Sequence, residues 1–383
     1  MNLNMKSFIN LSRWLAAFLV LISHVRHLVL VDYKNVVNKG FFSKGVYFLT
    51  GFGHEAVVVF FVISGFLVGG ITLDRWVSKG PDIHGYVAAR ISRIYTVLIP
   101  ALFIGLFFDT AGLNFFNASE LYTNSSQYQT ISLNSIIASA TSIPTFFGNL
   151  LMLQGVLTGN FGSNGALWSL AYEWWYYCIF ALIGFAFCNE GNKRFLCIAL
   201  ALVISVLLPN KIILWGAVWL LGVFAYKWFS SNKWKINPLL GFSVFFILMI
   251  ASRLSHNQDN VENHESLLQE FLRDFILGVA YVIALVSSSQ FSIYSVFSKL
   301  SERLADFSFS TYLFHFPLMV FFVAVGYQIF GLQFQVQPDW YGFSYALTLV
   351  GLLYFSCFIF SLLTEKWTSS IRERLQRFIV GRA

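Results

Sequence analysis

Long apolar segments recur along the whole chain and alternate with short polar stretches. Most of them approach the roughly 20 residues that an α-helix needs to cross a bilayer, and the fifth and seventh are shorter. The pattern predicts an all-α fold, a polytopic integral membrane helical bundle with about ten transmembrane helices. The predicted segments are 8–30, 46–73, 87–108, 166–188, 194–208, 211–229, 238–252, 271–289, 309–330 and 342–364.

Composition and charge agree with a membrane protein. Hydrophobic residues make up 57% of the chain and charged residues only 11%, whereas a soluble domain carries roughly a quarter charged residues. The net charge of +7 could indicate nucleic-acid binding. Most of the 25 lysines and arginines fall on one side of the predicted membrane, however, and that side should be cytoplasmic. We therefore expect both termini in the cytoplasm and no nucleic-acid partner.

The longest stretch without a predicted span is 109–165. It lies in a part of the chain, between Arg93 and Lys193, that contains no lysine or arginine, so it should be external. After the predicted transmembrane domain at 1–365, the segment 366–383 has the pattern of a basic amphipathic helix, which would lie on the inner leaflet.

Arg13 and His24 are ionisable residues within the first apolar segment. Eleven residues of α-helix complete about three turns, so the two side chains should share one face roughly 16 Å apart along the axis. Ionisable groups inside a bilayer are costly and usually face a cavity or a partner, so the pair predicts a functional site.

Two further arginines begin the third segment on one helical face. Arg90 and Arg93, together with Arg13 at the same predicted depth, could grip the phosphates of an anionic molecule entering from the cytoplasm. The alternative is that they merely mark the inner edge of the membrane. His24 could act as a general base towards a hydroxyl, or it could simply bridge two helices.

Glu173 enters the fourth segment from the outer side, at a depth that overlaps the depth expected for His24. A carboxylate at that depth needs a partner, and pairing with His24 would orient the imidazole. The alternative is a structural carboxylate bonded by the Trp and Tyr side chains around it.

Small residues and a proline mark two other spans. Gly65 and Gly69 form a GxxxG pattern that favours close helix packing, with Ser64 as a possible ligand contact. His315 is followed by Pro317, which should free a backbone carbonyl of its helix, and such a place often lines a cavity.

Charged residues near the predicted outer surface can be solvated without further role. His54 and Glu55 begin the second span there. The external acidic residues lack the paired spacing of metal ligands, so no metal site is expected. They are Asp259, Glu262, Glu265 and Glu270.

Five short motifs occur in order along the chain. They are R-x10-H at Arg13–His24, FFVISGFL at Phe60–Leu67, RxxR at Arg90–Arg93 followed by Pro100, LWSLxxExxxY at Leu167–Tyr177 and YLxHxP at Tyr312–Pro317. In these motifs and their spacing the chain resembles the membrane-bound acyltransferase 3 family. In that family the last span often ends in Glu followed closely by Pro, whereas here Glu365 is followed by Lys366.

The resemblance implies acyl transfer from cytoplasmic acyl-CoA, most often acetyl-CoA, to a hydroxyl of a cell-surface or exported glycan. It implies that His24 is the base or the acyl-accepting residue and that Arg13, Arg90 and Arg93 bind the acyl donor. A bacterial cytoplasmic (inner) membrane would be the location, with membrane lipids around the bundle.

The full predicted site combines the argument from residue patterns with the family resemblance. We expect His24 and Glu173 to be catalytic, with Glu173 orienting His24. We expect the acceptor to contact Ser64, Trp168 and His315. The aromatic residues around this site would stack against its sugar ring. Two other classes stay open: a transporter or flippase, in which the buried ionisable groups carry protons, and a glycan polymerase, which would use external arginines.

Overall fold

The computed structural model describes residues 2–128, 133–231, 236–256, 266–291 and 295–380, and within these ranges the regular secondary structure is helical. Three of the acidic residues that we predict to be external and solvated lie outside the described residues. They are Asp259, Glu262 and Glu265. The α-helices are α1 Leu3–Val29, α2 Phe41–Leu49, α3 Gly53–Ser64, α4 Ile71–Lys79, α5 Ile83–Phe115, α6 Ile137–Ala140, α7 Ile143–Leu150, α8 Leu167–Cys188, α9 Gly191–Leu207, α10 Asn210–Ser231, α11 Pro238–His256, α12 Leu267–Ser287, α13 Ser295–Ala305, α14 Ser308–Phe330, α15 Trp340–Leu363 and α16 Thr368–Val380.

Nine helical stretches among the described residues are long and apolar enough to cross a membrane, which confirms an all-α polytopic membrane protein. One of them runs from α2 through α4 over Phe41–Lys79, and it contains the π-helical segment Gly65–Gly70. The predicted span at 194–208 corresponds to α9, which has only 17 residues and is not among the nine. Polar and charged residues on either side of that segment keep α9 short.

Contacts between Cα atoms divide the chain into two compact units. Helices α1, α5 and α8 each contribute residues to both. Unit 1 comprises Met1–Ala16, His54–Arg90 and Tyr172–Ala305, and unit 2 comprises Ala17–Gly53, Ile91–Ala171 and Asp306–Ala383.

Unit 1 contains a helix crossing that depends on glycine. A Cβ atom on Gly65 would lie 1.8 Å from the carbonyl oxygen of Trp219, and one on Gly222 would lie 2.0 Å from the carbonyl oxygen of Val62. A Cβ atom on Gly69 would lie 2.7 Å from the Trp219 ring. The prediction that Gly65 and Gly69 allow close helix packing is therefore confirmed, and the partner is α10.

We predicted that His54 and Glu55 are solvated at the start of the second span, and for Glu55 this prediction is wrong. This residue is 2% exposed, and its Oε1 accepts a hydrogen bond of 3.2 Å from the Ser252 hydroxyl. His54 Nε2 lies 2.8 Å from the carboxylate of Asp274, which also accepts a bond from the Trp215 indole at 2.8 Å. Packing of α3 against α10, α11 and α12 buries Glu55 and Asp274, and the residue pattern along one helix does not reveal such burial.

Unit 2 contains α14, and Pro317 lies inside this helix. A proline has no N–H, so the carbonyl of Leu313 four residues earlier loses its helical donor. The Asn164 side chain supplies a replacement, because its Nδ2 donates to the Leu313 oxygen at 2.9 Å. The Asp109 carboxylate holds the same loop by accepting bonds of 2.7 Å from both the backbone N–H and the hydroxyl of Ser163.

Candidate active site

Two histidines from distant parts of the chain form a direct contact in unit 2. His24 Nδ1 on α1 lies 2.8 Å from His315 Nε2 on α14, and the two ring planes are parallel to within 1°. His315 is completely buried, whereas His24 is half-buried. We call these two residues the histidine pair.

The backbone of α14 determines how protons are arranged in the histidine pair. His315 Nδ1 lies 2.9 Å from the carbonyl oxygens of Thr311 and Tyr312, and a carbonyl can only accept, so Nδ1 carries a hydrogen. In a neutral His315, Nε2 is then the acceptor, and His24 Nδ1–H is the donor to it. The lone pair of His24 consequently lies on Nε2, the nitrogen that faces away from His315 and is free to take a proton.

A second group in unit 2 holds one of the predicted donor-binding arginines. Arg93 Nη1 donates to Glu365 Oε1 at 2.8 Å, and its guanidinium lies over the Phe309 ring at 4.8 Å. The other carboxylate oxygen, Oε2, accepts bonds of 2.9 Å from the backbone N–H and the hydroxyl of Ser310. We call Arg93, Phe309, Ser310 and Glu365 the Arg93 corner.

A third group lies in unit 1 and is centred on Tyr177. The Tyr177 hydroxyl donates to Glu173 Oε1, and it is 3.0 Å from the Ser64 hydroxyl. The Trp219 indole N–H donates to the same Ser64 oxygen at 3.0 Å. The guanidinium of Arg90 lies over the Tyr177 ring at 5.3 Å. We call Ser64, Glu173, Tyr177 and Trp219 the tyrosine network.

The bonds of the tyrosine network run in one direction. An indole N–H only donates and a carboxylate only accepts, so Trp219 donates to Ser64, Ser64 donates to Tyr177, and Tyr177 donates to Glu173. Ser64 is 8% exposed, and its hydroxyl has a donor and an acceptor within the protein. Glu173 therefore has a tyrosine partner, as the structural alternative expected, and its contact with His24 stays a prediction. Ser64 packs between helices, and its contact with the acceptor stays a prediction.

The structure brings some of the predicted site residues together. His24 contacts His315, and Ser64, Arg90 and Glu173 all meet at Tyr177 within unit 1. The partner of His24 within unit 2 is a residue that we had predicted to contact the acceptor.

Arg13 and Trp168 complete the predicted set. Arg13 is half-buried on α1, and Trp168 is half-buried in the first turn of α8. Each makes a polar or ring contact within the protein. Their roles in binding the donor and the acceptor stay predictions.

One group in the described part of the chain has the composition of a metal site. The ligand atoms of His54, Glu270 and Asp274 lie within 4.8 Å of one another. The carboxylates already have partners: the Lys211 ammonium is 2.7 Å from Glu270, and the Trp215 indole donates to Asp274. The group therefore has the bonding of a partly buried ion-pair network.

Sequence reasoning missed two residues of these groups as functional candidates. Tyr177 closes the motif LWSLxxExxxY, and its spacing of four from Glu173 puts both on one helical face. Glu365 was set aside because the residue pattern after it departs from the family, but it is only 7% exposed. A carboxylate at the end of an apolar span was the available sign, because such a group needs a partner.

The helical membrane fold and the buried polar groups, among them the histidine pair, are those of an integral membrane protein with ionisable side chains held inside its helices. The chain belongs to the acyltransferase 3 family, whose acyltransferase domain matches residues 6–364. This confirms the resemblance and decides against the transporter and polymerase alternatives.

Among curated proteins, the O-acetyl transferase of Shigella phage Sf6 is 26% identical over 314 residues, which is 80% of this chain and 83% of the relative. No solved structure matches the chain.

Proposed function

We propose that this protein is an O-acetyltransferase that moves an acetyl group from acetyl-CoA to a hydroxyl of a cell-surface or exported glycan. The family supports acyl transfer, and the name of the phage relative supports acetyl as the group transferred to oxygen. The observation that carries the proposal is the histidine pair, which leaves a basic nitrogen on a half-buried His24.

The arginines are suited to hold the donor. Guanidinium groups bind phosphates through paired N–H donors, and coenzyme A carries several phosphate groups. Arg93 is half-exposed and held by an ion pair, and Arg90 is stacked on aromatic rings, so both guanidinium groups are oriented before a ligand arrives. Arg13, which by helix geometry is about 16 Å from His24 along α1, is the third arginine for which we propose donor binding.

His24 then provides base catalysis. Its Nε2 takes the proton of the acceptor hydroxyl as the hydroxyl oxygen attacks the thioester carbonyl. The carbon–sulfur bond breaks, the coenzyme A thiolate leaves, and the proton passes from His24 to the thiolate. The positive charge that His24 carries during the step is stabilised by its bond to His315, whose Nδ1–H is held by two backbone carbonyls. In the relay version of the reaction, Nε2 attacks the thioester carbonyl first and the coenzyme A thiolate leaves. The acceptor oxygen then attacks the acetyl group on His24, its proton passes to the thiolate, and Nε2 is released.

The proposed location is a bacterial cytoplasmic membrane, with both termini and the donor on the cytoplasmic side. Termini on one side require an even number of crossings. Nine described helices are long enough to cross, so α9 would be the tenth crossing, and its 17 residues suffice only where the bilayer is locally thin.

Transfer of a labelled acetyl group tests the proposal. Purified protein in proteoliposomes is incubated with radiolabelled acetyl-CoA and surface glycan from a strain that lacks the gene. We expect labelled ester and free coenzyme A thiol from the wild type and from His84→Ala, which changes an exposed histidine. His24→Ala should yield neither. Equal transfer by His24→Ala, inserted at wild-type level, would refute the proposal, and an acetylated His24 peptide after rapid quenching would identify the relay.

A further inference from the structure

Glu365 is the one acidic residue of the Arg93 corner, and it serves two partners with its two oxygens. Oε1 accepts from Arg93, and Oε2 accepts from the backbone and hydroxyl of Ser310. Ser310 is completely buried in the first turn of α14, so no water can replace its partner. The first turn of α14 therefore fixes Oε2 of the carboxylate, and Oε1 is left to accept from Arg93.

We propose that Glu365 is a positioning residue that holds the Arg93 guanidinium in the orientation in which it binds the phosphates of the acyl donor. This inference rests on the proposed function for the identity of the donor. It concerns a residue that acts through Arg93 and does not touch the donor itself.

The geometry of Arg93 supports a positioning role. A free arginine side chain has many rotamers, and holding it in one orientation before binding removes part of the entropy cost of binding. Glu365 holds the guanidinium at one edge, and the Phe309 ring covers one of its faces at 4.8 Å. The pair uses only Nη1 of the guanidinium. The remaining N–H groups can therefore bind a phosphate while the ion pair stays intact.

The substitution Glu365→Gln separates the two duties of this side chain. A glutamine has one accepting oxygen and one NH2 group, so it cannot accept from both Arg93 and Ser310. The buried Ser310 N–H would otherwise be left without an acceptor, so the amide oxygen should turn to Ser310 and the NH2 group to Arg93. The start of α14 is then preserved while Arg93 is released.

The experiment measures binding of coenzyme A to purified protein by calorimetry and, in parallel, the kinetics of acetyl transfer. We expect Glu365→Gln to raise the Kd for coenzyme A and the KM for acetyl-CoA about fivefold, with kcat at saturating donor changed by less than about twofold. The matched control is Glu302→Gln, which breaks the exposed ion pair of Glu302 with Lys6 at 2.7 Å and should leave both constants unchanged.

A purely structural role gives a different result. Glu365→Gln would then reduce the yield of folded protein while the folded fraction bound coenzyme A as the wild type does, and this would overturn the inference. If Glu365→Gln does not accumulate, Phe309→Leu removes the other support of the guanidinium without touching the buried carboxylate, and it should also raise the Kd. An unchanged Kd in Phe309→Leu would likewise overturn the inference.

Two combinations of results distinguish failure of this inference from failure of the proposed function. If Arg93→Ala weakens coenzyme A binding and Glu365→Gln does not, only the positioning role is refuted. If the wild type transfers no acetyl group but Glu365→Gln still weakens coenzyme A binding, the proposed function is refuted and the positioning role stands.

Discussion

Replacing Asn164 by alanine should destabilise α14 through a single carbonyl. Asn164 is 4% exposed, and its Nδ2 donates at 2.9 Å to the oxygen of Leu313, which Pro317 deprives of its helical donor. Leaving a buried carbonyl without a donor costs about 1–3 kcal/mol. Domains of ~150–250 residues lose about 2–4 °C of Tm per kcal/mol, so Asn164→Ala should lower the midpoint by several degrees.

The proline provides a test of the cause. In Pro317→Ala, the new N–H at position 317 can donate to Leu313, so Asn164 is no longer needed there. The assay is thermal unfolding in detergent of the wild type, both single variants and the double variant. We expect Asn164→Ala to lower the midpoint much less in the Pro317→Ala background than in the wild type. Equal losses in the two backgrounds would refute the reasoning.

Asn160→Ala is the control for this series. Its side chain lies in the same loop, but it donates to Gly165 at 3.2 Å. Its effect should not depend on residue 317.

Two further predictions concern the packing of unit 1. Gly222→Ala should prevent accumulation of folded protein, because its Cβ would lie 2.0 Å from the carbonyl oxygen of Val62, whereas Gly351→Ala has no atom within 4 Å and should accumulate normally in a membrane expression assay. Ser64→Ala should lower the free energy of unfolding by about 1–3 kcal/mol, because the buried Trp219 indole loses its acceptor. The thermal midpoint measures this loss, and Ser78→Ala, which changes an exposed serine, should have little effect on it.

The helices of this protein follow from local pattern, and nine of the ten predicted segments therefore overlap a described helical stretch that is long enough to cross a membrane. The freed carbonyl at Pro317 was also predictable, because it depends on one helix alone. Its partner Asn164 was not, because that contact joins a loop to a helix far along the chain.

The site shows the same limit. His24 and His315 could each be recognised as costly residues in a span, but no spacing links two residues that are 291 positions apart. Glu173 was paired with His24 on estimated depth alone, and depth does not determine which face of a helix meets which neighbour. The structure shows the hydroxyl of Tyr177, one turn along the same helix, as a partner of Glu173, and the contact of Glu173 with His24 stays a prediction.

The central claim is that His24 and His315 act as one catalytic unit, and a double-variant cycle on kcat tests it most directly. The rate of acetyl transfer at saturating acetyl-CoA is measured for the wild type, His24→Ala, His315→Ala and the double variant, each corrected for folded protein. If His315 works only through His24, the double variant will be no slower than His24→Ala alone. Losses that multiply in the double variant would contradict the account.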